Sequence, residues 1–351
     1  MSNYRVLICA YNRPNLLRTV LQRLKNAGIS EAIVSIDGPK DAPGHSSFNQ
    51  VLQVSNSFYP DVVSDIWVNK ENQGCALAVH SSITRFLAEN GAGIILEDDT
   101  LPSYQFFRFA SEMLQKYGDD SRIGMISGNN HSNYTVLDSS YIFTRNKATW
   151  GWATWDRSWM NFDLSGLGTT RDTEIDIFYN MGWSREQTVE HWSRAFNRIE
   201  TGQVDAWDWQ WFRHLSNQNQ LTITPAVNLV ANIGFGRDAT HTFGPGKPIF
   251  QKIGVLDFPL RHPRTFAPNS RFELGFEANK YFFAAKSTAG EESTAQKSRR
   301  QPALAKLVDA LPRPVVEKTR AILFRFRLLS VVEKLLLGKQ RKSWQKRYRP
   351  E

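Results

Sequence analysis

Three adjacent carboxyl groups, Glu97-Asp98-Asp99, directly follow the apolar run at residues 93–96. Adjacent carboxylates repel one another unless a cation is present. In an extended chain Glu97 and Asp99 point to the same side. One carboxylate could then reach a sugar or a ribose while the other binds a divalent ion at a diphosphate, and hard Mg²⁺ or Mn²⁺ is the ion that suits such oxygen ligands. The alternative is an acidic loop that caps the next helix, with Thr100 or Ser103 at the N-cap.

A second carboxyl group that could take part in a reaction is Asp208. It lies in the segment Ala-Trp-Asp-Trp-Gln-Trp at residues 206–211. Apolar indole surfaces around a carboxylate raise its pKa, and a raised pKa suits a general base. Asp205 is the reserve candidate for the same role. In the alternative interpretation, Asp208 caps or salt-bridges the helix that follows, and the tryptophans belong to the core.

Flat aromatic rings that could stack on a sugar are concentrated near Trp150-Gly151-Trp152. Indole faces match the C–H faces of a pyranose, and a glycine allows a ligand to approach the backbone. Trp207, beside Asp208, is assigned to the same substrate surface. The alternative is that these large rings fill the core, as tryptophans commonly do.

Strand and helix patterns alternate through the first 130 residues. Apolar runs predict strands at residues 5–10, 32–36, 62–68, 93–96 and 123–127, and helical spacing predicts helices at 16–26, 75–90 and 104–117. Such alternation indicates an α/β fold with a mainly parallel central sheet flanked by helices. Ligands of such sheets bind beyond the carboxyl ends of the strands. Polar loops follow four of these strands, at residues 10–14, 37–40, 69–74 and 97–100.

The later sequence is irregular and aromatic, with helical patterns near residues 185–200 and 207–217, and residues 232–271 are predicted to form loops. The composition of residues 287–300 is typical of a linker. We therefore expect a nucleotide-binding half at 1–130, an acceptor-binding and catalytic half of the same domain at 131–286, and a linker with a helical tail at 287–351.

The positive charge is concentrated at the end of the chain. The net charge is +9, yet residues 297–351 contain 16 basic and 4 acidic side chains, which leaves 27 basic and 30 acidic ones in the rest. A body of that charge does not favour nucleic acid as a partner. The tail alternates apolar and basic residues, which suits an anionic membrane surface. A helix docked on the body is the alternative, and both remain open.

The first residues do not have the basic and apolar regions of a secretory signal, and no apolar run is long enough to cross a bilayer. With only two cysteines, a reducing compartment is expected. These features predict a cytoplasmic protein that lies peripherally on the inner face of the cell membrane if its tail binds lipid.

The order of these motifs resembles GT-A-fold glycosyltransferases. Residues 6–14 (Val-Leu-Ile-Cys-Ala-Tyr-Asn-Arg-Pro), Asp37, Asn72-x-Gly74 and Glu97-Asp98-Asp99 are similar to elements of family 2 and of the N-acetylglucosaminyltransferase I type. Residues 150–155 and 232–242 resemble a bacterial branch described as hemolytic-protein HlpA-like. The resemblance covers residues 4–264. It implies a GT-A sheet that binds a nucleotide-diphospho-sugar donor with Mn²⁺ or Mg²⁺.

The resemblance also implies individual roles. Ala10, Tyr11 and Arg13 would line the base and ribose pocket, and Asp37 would accept a hydrogen bond from the base, as a uracil N–H requires. Asn72, Gly74 and Glu97 belong to the same donor pocket, and Asp98 would contact the ribose. Asp99 would bind the metal, with His241 completing the metal or diphosphate site. Asp208 matches the position of the family's catalytic aspartate.

The sequence thus predicts a metal-dependent enzyme that transfers a sugar, with inversion, from a UDP-sugar or similar donor to a glycan or lipid-linked acceptor of the cell envelope. Two alternatives stay open. A sugar-nucleotide pyrophosphorylase would share the sheet, and a membrane-binding or lytic protein would act through the cationic tail.

Overall fold

Ten strands are found in the part of the chain that the computed structural model describes, which is residues 4–41, 44–164, 176, 178, 179, 183, 186–235 and 252–280. In chain order they are β1 (Val6–Ala10), β2 (Ala32–Ile36), β3 (Val63–Val68), β4 (Ala92–Glu97), β5 (Thr100–Pro102), β6 (Ile123–Ser127), β7 (Tyr141–Thr144), β8 (Trp152–Trp155), β9 (Leu221–Pro225) and β10 (Val230–Asn232).

The helices of the same part of the chain mostly connect these strands. They are α1 (Pro14–Asn26), α2 (Gly44–Asn56), α3 (Cys75–Asn90), α4 (Tyr104–Lys116), α5 (Asp156–Trp159), α6 (Glu186–Glu200), α7 (Asp208–Asn217) and α8 (Ser270–Lys280). The predicted helices at 16–26, 75–90, 104–117, 185–200 and 207–217 are confirmed. Neither α2 nor α8 was predicted.

Eight strands form one central sheet in the order β3-β2-β1-β4-β8-β6-β9-β7. The neighbours β3, β2, β1 and β4 are parallel, and β6 and β9 run in the same direction. Strand β8 lies antiparallel between β4 and β6, and β7 is antiparallel to β9 at the edge. The predicted α/β class with a mainly parallel central sheet flanked by helices is confirmed.

Both faces of this sheet are covered. Every residue of β1 is buried. Val6 and Ile8 pack with α1, α2 and α4 on one face, and Leu7 and Cys9 pack with α3, α5 and α7 on the other. Strands buried on both faces are continuously apolar, which explains why β1, β2 and β4 could be found from the sequence. Their carboxyl ends are level, since Ala10 pairs with Ile36 and Cys9 with Glu97.

A small second sheet brings a late segment to the end of β4. Strand β10 pairs antiparallel with β5, which follows β4 after a tight turn. The backbone N–H of Ile233 donates to the carbonyl oxygen of Asp99 at 2.8 Å. Residues 230–235 are therefore held against the acidic motif, although more than 130 positions separate them in sequence.

Helix α8 is anchored by a buried ion pair. Arg145 and Glu273 form a salt bridge with 13% and 4% of their side chains exposed, and the same carboxylate accepts from Thr144 Oγ1 at 3.1 Å. The buried face of α8 includes Glu273 and Glu277 beside two phenylalanines. Because charged residues interrupt the apolar periodicity of this buried face, the sequence did not predict α8. Its first residues were assigned to a loop, and the rest was assigned no element.

The predicted tail at 287–351 lies outside the described residues, and the division of the body at residue 130 stays a prediction. Within the described ranges, we find no helix that combines the length and apolar character needed to cross a bilayer.

We predict that Glu273→Gln destabilises the protein by about 3–5 kcal/mol, because it leaves the buried guanidinium of Arg145 without its carboxylate. The matched control is Glu112→Gln, which removes an exposed ion pair to Arg108 and should cost about 0.5 kcal/mol or less. Urea unfolding of both variants measures the difference, and equal small losses would show that the buried pair does not anchor α8.

Candidate functional site

The acidic motif at the end of β4 is organised around one guanidinium group. Arg13 donates from Nη1 to Asp99 Oδ2 at 2.7 Å and from Nη2 to Asp98 Oδ1. Asp98 and Asp99 are buried, at 1% and 6% exposure. Burial raises the pKa of Asp98 to about 6, while the positive charge of Arg13 acts in the opposite direction and Asp99 adds to the increase. Arg13 thus supplies the cation that such a pair requires.

The chain turns within the motif and does not stay extended. Strand β4 ends at Glu97, and the N–H of Glu97 donates to Thr100 Oγ1 at 2.9 Å across the turn. The extended geometry on which the same-side placement of Glu97 and Asp99 was based therefore does not hold, and Asp98 and Asp99 both contact Arg13. Ser103 is the N-cap of α4, as the capping alternative proposed, but the carboxylates of the motif do not serve as caps.

One aspartate oxygen in this motif has no hydrogen-bond donor among the described residues. It is Asp99 Oδ1, which is buried. The N–H of Tyr11 is 3.4 Å from Asp98 Oδ2, so Asp98 has contacts at both oxygens. In this arrangement Asp98 holds the loop after β1, and no oxygen of it is left exposed for a ribose. Ala10 is buried at the same strand end.

The fit of this site to a divalent ion depends on Asp99. The described residues contain no group of three or more His, Cys, Asp or Glu placed to hold a metal. Mg²⁺ sites commonly use one or two carboxylates and complete the shell with substrate phosphates and water. The open oxygen of Asp99 fits that pattern. His241, the other predicted ligand, lies outside the described residues.

Asp37 binds the loop between β3 and α3. Its carboxylate accepts from the backbone N–H of Gly38, Gln73 and Gly74 and from the side-chain amides of Asn69 and Asn72, at 2.9–3.2 Å. Each of the two carboxylate oxygens accepts three hydrogen bonds. The structure thus gives Asp37, Asn72 and Gly74 a joint role in fixing the loop, and acceptance from a nucleotide base stays a prediction.

Asp205 fixes the start of α3 from a distant part of the chain. Its Oδ2 accepts from the N–H of Cys75 at 2.8 Å and its Oδ1 from the N–H of Ala76 at 3.0 Å. A carboxylate at these groups caps the helix and complements its dipole. Both oxygens are used in this contact. As the reserve general base, Asp205 is therefore poorly suited.

Asp208 is the first residue of α7, directly after Trp207 at the N-cap. Its charge contributes to the environment of Glu97. Burial, with the nearby carboxylates of Asp99, Asp208 and Asp98, raises the pKa of Glu97 to about 8 against the opposing effect of Arg13. Asp208 is therefore within electrostatic range of the acidic motif, and its role as general base stays a prediction.

Two aromatic rings and one lysine form a further group of contacts. The rings of Trp150 and Phe235 meet edge to face with centroids 5.8 Å apart. Lys280 Nζ lies 5.6 Å from the Trp150 centroid. Burial lowers the pKa of Lys280 to about 8, and the carboxylate of Asp208 acts in the opposite direction.

Contacts and electrostatic effects link these residues in series to the acidic motif. Gly234 touches Asp99, Phe235 follows Gly234 and touches Trp150, Trp150 touches Lys280, and the charge of Lys280 acts on Asp208. Asp208 in turn acts on Glu97, which is two residues from Asp99. Lys280 was not singled out from the sequence, and Gly234 and Phe235 belong to the 232–242 motif but were assigned no role. The pairing of β10 with β5, which brings Gly234 and Phe235 here, has no local sequence signal.

Two predicted sugar-stacking residues are core residues. Trp152 is 1% exposed and Trp207 is 3% exposed, and their rings stack at 5.5 Å within the cluster below the sheet. A ring without exposed surface cannot stack on a sugar, so these two assignments are wrong. Trp150 precedes β8 and is half-buried at the site. Gly151 has φ 75°, and a Cβ there would lie 2.9 Å from the side chain of Val230, so packing explains this glycine.

Comparison with known proteins assigns no family. No protein-family model and no curated protein matches the chain. Solved structures that match include HddC from Yersinia pseudotuberculosis, with 15% identity over 44% of this chain and 77% of that one and a TM-score of 0.27.

Two further matches have lower identity. The inositol-1-phosphate CTP transferase from T. maritima is 8% identical over 64% of this chain and 86% of its own, with a TM-score of 0.35. The galactosyltransferase LgtC, solved with donor and acceptor sugar analogues, is 9% identical over 62% and 72%, with a TM-score of 0.32. At these scores the likenesses assign neither an activity nor a ligand to this chain.

We predict that Gly234→Ala displaces the Asp99 carboxylate. A Cβ at this position would lie 2.1 Å from Asp99 Oδ2 and 2.8 Å from Cγ, and overpacking of this kind costs about 1–3 kcal/mol. Gly118→Ala is the control, since its nearest neighbour would be at an ordinary 3.5 Å. Thermal unfolding should show a loss for Gly234→Ala only. An unchanged melting temperature would show that the segment at 230–235 does not press on Asp99.

Proposed function

We propose that this protein is a metal-dependent, inverting GT-A-type glycosyltransferase that moves a sugar from a nucleotide-diphospho-sugar, such as a UDP-sugar, to a glycan or lipid-linked acceptor. The observation that carries the proposal is the buried Asp99 carboxylate, which has one oxygen bound by Arg13 and the other open. The resemblance of the sequence motifs to that family supports the same conclusion.

The donor end of the site would be built from the loops after β1 and β4. Asp99 would hold Mn²⁺ or Mg²⁺, with His241 as the predicted second ligand. When bound, the ion would neutralise the diphosphate and the charge that develops on the leaving group. Arg13 keeps the two aspartates in place, and its guanidinium is a bidentate donor suited to phosphate oxygens as well.

Transfer with inversion needs one general base and no covalent intermediate on the protein. The acceptor oxygen forms the new bond to the anomeric carbon as the bond to the diphosphate oxygen breaks, and the hydroxyl proton passes to the base. Asp208 is the base we propose, because it lies at the site and Asp205 is committed to α3. Trp150 would supply the apolar surface for a sugar ring.

A charge count supports a cation at the donor end. The carboxyl groups near one another are Glu97, Asp98, Asp99 and Asp208, and the described cations that act on them are Arg13 and Lys280. The carboxylates of Asp99, Asp208 and Asp98 add to the effect of burial in raising the pKa of Glu97. A divalent ion and its diphosphate would be bound where the excess of carboxyl groups is largest.

We predict that UDP binds the full-length protein tightly only with Mn²⁺, and that Asp99→Asn removes this metal dependence by taking away the open anionic oxygen. Isothermal titration with Mn²⁺ and with EDTA measures both effects. Asp138→Asn, at an exposed position, is the control and should bind as the wild type does. Equal affinity in EDTA and in Mn²⁺ would contradict the metal-dependent function.

We predict that Asp208→Asn lowers kcat for sugar transfer by about 100-fold or more, because the base is lost, while the affinity for UDP changes little. Asp205→Asn is the comparison. It should instead weaken the cap of α3 and cost about 1 kcal/mol of stability. Steady-state kinetics and thermal unfolding separate the two. Normal turnover by Asp208→Asn would exclude it as the base.

A further inference from the structure

The ammonium of Lys280 has hydrogen-bonding capacity that the described residues do not use. Lys280 is half-buried, and its Nζ lies 5.6 Å and 5.7 Å from the ring centroids of Trp150 and Phe276. Within the described residues, its ammonium makes these ring contacts and no hydrogen bond or salt bridge. An ammonium has three donors, and their removal from water is costly unless acceptors replace it.

The position of Lys280 is fixed by the helix that carries it. At the end of α8, Asn279 Nδ2 donates to the carbonyl oxygen of His131 at 3.0 Å. Glu277 accepts from Thr188 Oγ1 at 2.7 Å, and Glu273 forms the buried ion pair with Arg145. Three contacts thus hold the helix that ends at Lys280. The position of this lysine is therefore more strongly fixed than that of a lysine on a mobile surface loop.

The surroundings of Lys280 indicate which part of a substrate it meets. Arg13 is the cation whose charge acts on Asp98 and Asp99, at the donor end. The charge of Lys280 is coupled to Asp208, the proposed base. A sugar placed on the Trp150 ring, with a hydroxyl near Asp208, would bring its substituents to the ammonium of Lys280.

We propose that Lys280 and Trp150 form an acceptor subsite for an acidic sugar, with the ammonium binding the carboxylate or phosphate of the acceptor. This inference rests on the proposed function and names its substrate class. The aromatic face supplies contact with the ring, and the charge supplies discrimination against neutral sugars. Loss of such a charge-assisted hydrogen bond leaves a desolvated cation, which makes the discrimination strong.

The test measures protection of Lys280 from acylation by a lysine-reactive anhydride, read by mass spectrometry on the full-length protein. The ligands are glucuronate, glucose 6-phosphate, neutral glucose and pyrophosphate. At twice the dissociation constant, glucuronate or glucose 6-phosphate should slow acylation of Lys280 about threefold, while glucose should not. Lys116, which also ends a helix with its Nζ 5.7 Å from a ring, is the internal control and should be unaffected.

Two variants connect the protection to binding. Lys280→Arg keeps the charge and should retain binding of the protective sugar acid in saturation-transfer NMR. Lys280→Met keeps the stem without the charge and should lose it. Equal binding by Lys280→Met and the wild type would overturn the proposal, and so would the absence of protection by both sugar acids.

Protection by pyrophosphate without protection by either sugar acid would assign Lys280 to the donor diphosphate and overturn the acceptor subsite. As a further control, UDP is titrated with Mn²⁺ into Lys280→Met. The affinity for UDP should be unchanged, because Lys280 is proposed to contact the acceptor and not the donor. Failure of the wild type to bind UDP would refute the proposed function, whereas failure of the sugar-acid protection refutes only this subsite.

Discussion

The structure depends on two buried carboxylates that must be neutralised at the end of one strand. Asp98 and Asp99 have little contact with water, and isolated charges in such surroundings are costly. Arg13 meets this requirement by reaching from the loop after β1 to both carboxylates. The arrangement fixes the first loop against the fourth strand. It also leaves Asp99 Oδ1 as the place where a further cation can bind.

Other carboxylates near this edge of the sheet have a different function. Asp37 accepts hydrogen bonds from several groups of the loop before α3, and Asp205 caps that helix with both of its oxygens. Their oxygens are satisfied, so they position the loops around the site. Asp99 Oδ1 accepts no hydrogen bond from the described residues, which leaves it for chemistry, and Asp208 at the start of α7 is the proposed base. The hydrogen bonds that the oxygens receive thus separate Asp37 and Asp205 from Asp99, although these residues look alike in the sequence.

The part of the fold that was predictable from the sequence is the part with local patterns. Strands β1, β2 and β4 are buried on both faces and continuously apolar, and α1 begins at Pro14. In the second half the helices near 185–200 and 207–217 were predicted, but strands β7, β8 and β9 were not, because their positions in the sheet follow from distant pairings. Likewise, Trp150 and Trp152 belong to one short motif, yet β8 buries the latter and leaves the former at the site. Lys280 could not be found because two buried glutamates hide the apolar face of its helix.

The central claim is that a divalent ion binds at the open oxygen of Asp99. The most direct test is the anomalous diffraction of crystals grown with Mn²⁺ and UDP. We predict an anomalous peak within coordination distance of Asp99 Oδ1, about 2.0–2.2 Å for a small hard cation with oxygen ligands, and the UDP diphosphate on the same ion. UDP bound with no anomalous peak at Asp99, and Arg13 still paired to both aspartates, would contradict the account.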